Sequence, residues 1–126
     1  MKANLTAHAA ILLVADVERS ANWYKEYLGF EIGNLYGNPV HFGIIHRDGQ
    51  YLMFCKCPPE KIKPNWKLVD KTSNVYFWVN DAEALYNEYK SKGISFDWDL
   101  CIQPYGVKEF GINDPDEYDI AFGQVL

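Results

Sequence analysis

The 126-residue chain has few cysteines, no excess of positive charge and no long apolar run, and each shortage closes off a class of protein. Cys55, Cys57 and Cys101 are an odd and sparse set, so no disulfide framework is expected and a reducing, cytoplasmic setting is the natural reading. Twelve Lys and Arg against seventeen Asp and Glu give a net charge of -5. A nucleic-acid surface needs clustered cations, so no nucleic-acid partner is expected. The one basic cluster, Lys61, Lys63, Lys67 and Lys71, is diluted by Glu60 and Asp70 and reads as a solvated loop. The longest apolar run, Ala9 to Ala15, is far too short to span a bilayer, so no membrane partner is expected. Asp16, Glu18 and Arg19 follow it without a convincing cleavage site, so it reads as a buried first strand and not a signal peptide.

What the chain has in abundance is aromatic rings: nine Tyr, seven Phe and four Trp. Most must be core, because rings carry the largest area to bury. The chain also repeats itself. Val14-Ala15-Asp16-Val17-Glu18 resembles Val79-Asn80-Asp81-Ala82-Glu83 at an offset of 65 (81 minus 16). Val17, Ala21, Tyr24 and Leu28 then mark one helix face, as do Ala82, Leu85 and Tyr89. Asp16 and Asp81 suit N-caps, and Gly29 and Gly93 suit the left-handed position past a helix end. Phe42-Gly43-Ile44 matches Phe110-Gly111-Ile112, and Leu52-Met53-Phe54 matches Ile120-Ala121-Phe122, both at an offset of 68 (110 minus 42). Asp48-Gly49 and Asp114-Pro115-Asp116 punctuate the two pairs as hairpin turns. Each half therefore reads strand, helix and three strands. The first module covers about residues 8–57, a Pro-rich linker about 58–73 and the second module about 74–126.

Val14-Ala15-Asp16-Val17-Glu18-Arg19-Ser20, with Trp23-Tyr24 and Leu28-Gly29-Phe30, resembles the opening signature of the vicinal-oxygen-chelate superfamily of glyoxalases, bleomycin-resistance proteins and extradiol dioxygenases. Phe110 to Phe122 resembles its closing signature. Gln103-Pro104-Tyr105-Gly106 running into Glu109-Phe110, and Val75-Tyr76-Phe77-Trp78-Val79 followed by Leu85-Tyr86, are similar to the bleomycin-resistance branch. The resemblance implies an α+β fold of two βαβββ modules forming a curved mixed sheet around a groove. Glu117-Tyr118 departs from the Gly-Asn usual there, which leaves the type of the last turn open.

Enzymes of the superfamily hold a divalent metal on one residue from each of four strands. The corresponding positions here are Ala9, Met53, Asn74 and Ala121. Two alanines coordinate nothing, and a thioether is a poor ligand for Mg, Mn, Ni or Zn, so neither a metal nor another cofactor is expected. His8 lies one residue from Ala9 and faces the other way if strand alternation holds. His41 and His46 read as surface residues near a hairpin. Cys55 and Cys57 read as small buried hydrophobes, with a soft-metal site as the alternative.

Alternation places Leu12, Val14, Leu52, Phe54, Val75, Phe77, Val79, Ile120 and Phe122 under the helices. The opposite parity carries Ile11, Leu13, Tyr51, Met53, Cys55, Asn74, Tyr76, Trp78 and Ala121, too apolar a face to leave wet. Tyr51, Met53, Asn74, Tyr76 and Trp78 are therefore the candidate ligand-binding residues. The resemblance adds Trp98, between Asp97 and Asp99, and Tyr105 as a rim. The expected function is reversible capture of a planar, cationic small molecule, with no catalytic residue. The alternatives are a metal-dependent lyase or dioxygenase and a metal-free interaction module. Because an apolar half-sheet needs a partner, a homodimer is expected.

Overall fold

The computed structural model describes residues 1–126. The chain forms two compact units, Met1–Glu60 and Lys61–Leu126. The first holds β1 (Ala9–Val14), α1 (Val17–Leu28), β2 (Glu31–Tyr36), β3 (Phe42–Arg47) and β4 (Gln50–Lys56). The second opens with a one-turn helix, α2 (Asn65–Leu68). It continues with β5 (Val75–Trp78), α3 (Ala82–Ser91), β6 (Phe96–Ile102), β7 (Val107–Asn113) and β8 (Asp119–Val125). Each unit builds one four-stranded mixed sheet, ordered β1-β4-β3-β2 in the first and β5-β8-β7-β6 in the second. In both, the strand before the helix pairs in parallel with the last strand, and the remaining pairs are antiparallel. The fold is thus α+β, made of two βαβββ modules.

The local signals act as the sequence suggests. The Asp16 carboxylate accepts the Arg19 N–H at 3.0 Å, and the Asp81 carboxylate accepts that of Ala84 at 3.0 Å, so each satisfies a donor that the first helical turn leaves free. Gly29 and Gly93 turn the chain out of the helices at φ 74° and 77°. Asp48 and Gly49, at φ 51° and 76°, form a two-residue hairpin whose two positive φ values match the strand twist.

Register shows the repeat at the level of single residues. Phe54 stands beside Leu12, four residues before the capping Asp16, and Phe122 stands beside Phe77, four before Asp81. One part of the sequence match is corrected. Ile45 pairs with Leu52 and Ile112 with Ile120, so the third strands correspond at an offset of 67 (112 minus 45) while the fourth keep 68 (120 minus 52). Gly43 is therefore equivalent to Phe110, and Ile44 to Gly111. The cause is the last turn. Asp114 bonds back to Tyr118, leaving three residues between them where the first module has two, Asp48 and Gly49. A slip of one residue exchanges the faces of a strand, so the two glycines face opposite ways. A Cβ on Gly43 would meet Val17 of α1 at 2.9 Å.

The helix-side faces form the cores. Tyr24, fully buried, packs against Phe54 and Phe30 at 5.3 and 5.7 Å between ring centroids. In the second module Phe110 sits among Phe122, Tyr86, Phe96 and Tyr89, at 5.2, 5.5, 5.7 and 6.2 Å. Edge-to-face and offset ring pairs of this kind add to the area they bury.

The segment read as a solvated lysine loop contains α2, and its Lys67 is tied down. The Trp66 indole donates to the Glu117 carbonyl at 2.6 Å, and Lys67 forms an ion pair with the Glu117 carboxylate. Glu117 keeps the left-handed conformation expected of the family's glycine, at φ 69°. The Asp114 carboxylate braces the turn by accepting the N–H groups of Asp116 and Tyr118 at 2.9 and 3.0 Å.

Candidate binding site

On the second module, the sheet face away from α3 is built by alternation from four strands. Tyr76 and Trp78 stand on β5, Ala121 and Gly123 on β8, Glu109 and Gly111 on β7, and Trp98 on β6. Two glycines shape it. A Cβ on Gly111 would lie 2.0 Å from the Trp98 indole nitrogen, and one on Gly123 would lie 1.8 Å from the Tyr76 hydroxyl. The bare backbone at these positions lets both side chains lie flat against the sheet. Tyr76 and Trp78 meet at 5.4 Å between centroids and 61° between planes, and Trp78 remains 74 % exposed. Neither lies under a helix.

Beneath these rings is a carboxylate. Glu109 is only 4 % exposed and accepts the Tyr76 hydroxyl at 2.5 Å on one oxygen and the Tyr105 hydroxyl on the other. Burial and the bond to Glu109 push the Tyr76 phenol well above its usual range. Tyr105 lies in the turn between β6 and β7, and its bond to Glu109 pushes it up to about 12. Both phenols stay protonated at neutral pH and act as donors.

A second carboxyl, Asp119, is also 4 % exposed. Its oxygens accept the Ser73 hydroxyl at 2.6 Å and the Trp98 indole N–H at 3.1 Å. Desolvation, and then the neighbouring Asp97 carboxyl, raise it to about 7. The folded chain thus holds a proton that the unfolded chain releases near the ordinary carboxyl value. The resulting stabilisation is complete below about pH 4 and is lost as pH rises to about 7.

The predicted site residues divide between the modules. Tyr76, Trp78, Trp98 and Tyr105 come together on the face just described. Trp98 lies within β6, with its indole against Gly111 and bonded to Asp119. Asn74 precedes β5, and its side-chain oxygen accepts the Asn65 N–H at 2.8 Å, at the start of α2. Tyr51 and Met53 lie on β4 of the first module, on the face away from α1. Ile11 and Leu13, on the same face, are 61 % and 44 % exposed. Glu109, Asp119, Gly111 and Gly123 were not among the expected site residues. The alternation of Val107, Glu109 and Gly111 along β7 is the signal that points to Glu109 and Gly111.

The residues at the superfamily's metal positions do not fit a metal. Ala9 and Ala121 carry no donor, Met53 offers a thioether and the Asn74 oxygen is engaged by Asn65. No three His, Cys, Asp or Glu side chains group together in a way that suits an ion. His8 precedes β1 and is exposed.

The family model described as Glyoxalase/Bleomycin resistance protein/Dioxygenase superfamily matches residues 6–122. The chain belongs to this superfamily. Among solved members of similar fold is the bleomycin-binding protein of Streptomyces verticillus, complexed with copper(II)-bleomycin. It is 21 % identical, at a TM-score of 0.73 over 96 % of this chain and 97 % of that one. TnmS3, an antibiotic binding protein from Streptomyces sp. CB03234, is 16 % identical at a TM-score of 0.76, with full coverage of both chains. A glyoxalase-related enzyme from Clostridium phytofermentans is also 16 % identical, at a TM-score of 0.78 over 98 % of each chain. At such identities the likeness carries the fold alone, and binders and enzymes share it. No curated protein matches the chain. No helix is long and apolar enough to cross a membrane.

Proposed function

We propose that this superfamily member is a small-molecule binding protein that captures a planar, cationic ligand reversibly on the aromatic face of its second module. It uses neither a metal nor a catalytic residue. The observation that carries this reading is Glu109, a carboxylate almost withdrawn from water and framed by Tyr76, Tyr105 and the exposed Trp78. A desolvated anion beside ring faces offers both charge and stacking to a flat cation. Two of the similar structures are named for antibiotic binding, which supports capture over chemistry. Asn74 stands beside this face, and Tyr51 and Met53 supply a second apolar surface on the first module.

The test is a titration with bleomycin and with planar cationic dyes, followed by tryptophan emission. A flat cation stacked on Trp78 gains about 1–2 kcal/mol per ring contact. Binding is expected to quench emission, and Trp78→Ala to weaken it about tenfold or more. Equal affinity in the variant removes this face as the site.

The working form is proposed to be a homodimer in a cytoplasmic setting. Exposed Ile11 and Leu13 on an apolar sheet face support a partner surface. Light scattering at micromolar concentration is expected to give twice the chain mass, and a monomer at every concentration sinks the proposal.

A further inference from the structure

Glu109 offers charge but no open bonding position. Each of its oxygens already accepts a phenol, one from Tyr76 on β5 and one from Tyr105 in the turn between β6 and β7. The carboxylate is 4 % exposed, so its remaining lone pairs are closed to a ligand unless a phenol leaves. Both phenols stay protonated at neutral pH, so neither gives way by ionising. What the site leaves exposed around this charge is aromatic. Tyr76 and Trp78 meet at 61° and form a corner, and Trp78 and Tyr105 are both open to solvent. Trp78 and Glu109 lie in one cross-strand row with Gly123 between them. Two strand spacings set them about 10 Å apart. The floor between them is the bare Gly123 backbone with the Tyr76 hydroxyl lying over it. None of the residues that share this face on β5, β7 and β8 is Lys or Arg, so no fixed cation competes for the site.

We propose that this site selects planar cations that carry no N–H, namely delocalised heteroaromatic cations whose nitrogens are fully alkylated. The selection rests on the reversible capture already proposed and narrows its ligand class. The physical reason is desolvation. An N–H cation brought onto Trp78 and Tyr76 gives up hydrogen bonds to water. The phenols already hold the carboxylate oxygens, the strongest acceptors on the face, so those bonds are not replaced. A fully alkylated cation has no such bonds to lose. It keeps the attraction of the buried charge and the stacking on the rings, neither of which needs a donor. The Tyr76 and Tyr105 hydroxyls are thus specificity groups: they occupy the acceptor and so disfavour ligands that donate.

The test compares thionine and methylene blue. The two dyes share one flat phenothiazinium cation, which ends in amino groups in the first and dimethylamino groups in the second. Dissociation constants are read from dye absorbance at neutral pH, with the wild type and with Tyr105→Phe. In the wild type methylene blue is expected to bind about tenfold or more tighter than thionine. Its methyl groups also add apolar contact, so the variant decides. Tyr105→Phe keeps the ring and opens one Glu109 oxygen to a ligand N–H, so the ratio is expected to fall to about one or to reverse. Tyr105 stands in an exposed turn, so this variant leaves the core untouched. Equal binding of the two dyes by the wild type, or a ratio unchanged in Tyr105→Phe, overturns the proposal and leaves capture of planar cations standing. Binding of neither dye removes both.

Discussion

Gly111→Ala is expected to weaken ligand binding on the second module about tenfold or more while leaving the chain folded. The added Cβ would lie 2.0, 2.5 and 2.8 Å from the Nε1, Cε2 and Cδ1 atoms of Trp98, distances that no relaxation of a tenth or two relieves. The indole is the part that can yield, because it stands on an edge strand and is partly exposed. Once it swings away it forfeits its bond to Asp119. Tryptophan emission should shift to the red as the ring enters water. Affinity for a planar cation should fall about tenfold or more, the loss of roughly 1.4 kcal/mol or more of stacking. Gly43→Ala is the matched control. Its Cβ would press on Val17 and Leu35 at 2.9 and 3.0 Å, so it should strain the first module and spare the Trp98 signal. Unchanged emission and affinity in Gly111→Ala would show that Trp98 is not seated as described.

The largest stability effect is expected from Phe110→Ala, at about 3–5 kcal/mol. Phe110 is fully buried and touches four other rings, so truncation removes its transfer energy and opens a hole that aromatic neighbours fill poorly. Denaturant unfolding of the purified variant measures it through the transition midpoint. A loss below about 1 kcal/mol would mean that the second core is far looser than these contacts imply.

Local and medium-range features of the fold were legible in the sequence, because each rests on the chemistry of one or two residues. Asp16 and Asp81 cap helices because a short carboxylate reaches the free N–H groups. The Asp48-Gly49 turn forms because those residues tolerate positive φ. The two strand faces followed from alternation alone. What the sequence hid was register. The matching triplets around Gly43 and Gly111 suggest equivalence, yet the last turn is one residue longer and sends the two glycines to opposite faces. The role of Gly111 as the seat for Trp98 depends on that single residue. Glu109 was hidden for a related reason. It interrupts no apolar pattern, and only the folded register brings Tyr76, from 33 positions away, to its carboxylate. The rim position of Trp98 comes from the resemblance alone, and the folded chain adds that it lies within β6, where the pairing is irregular.

The face built by Tyr76, Trp78, Trp98 and Tyr105 over Glu109 is proposed as the place where a planar cation binds. The most direct measurement is an amide and indole N–H spectrum recorded during titration with such a cation, in the wild type and in Glu109→Gln. The Trp78 and Trp98 indole resonances and the amides of β5, β7 and β8 are expected to shift together and saturate. Glu109→Gln should weaken the effect about tenfold, through loss of the buried charge. Shifts confined to the first module, or an uncharged aromatic analogue that binds as well as the cation, would contradict it.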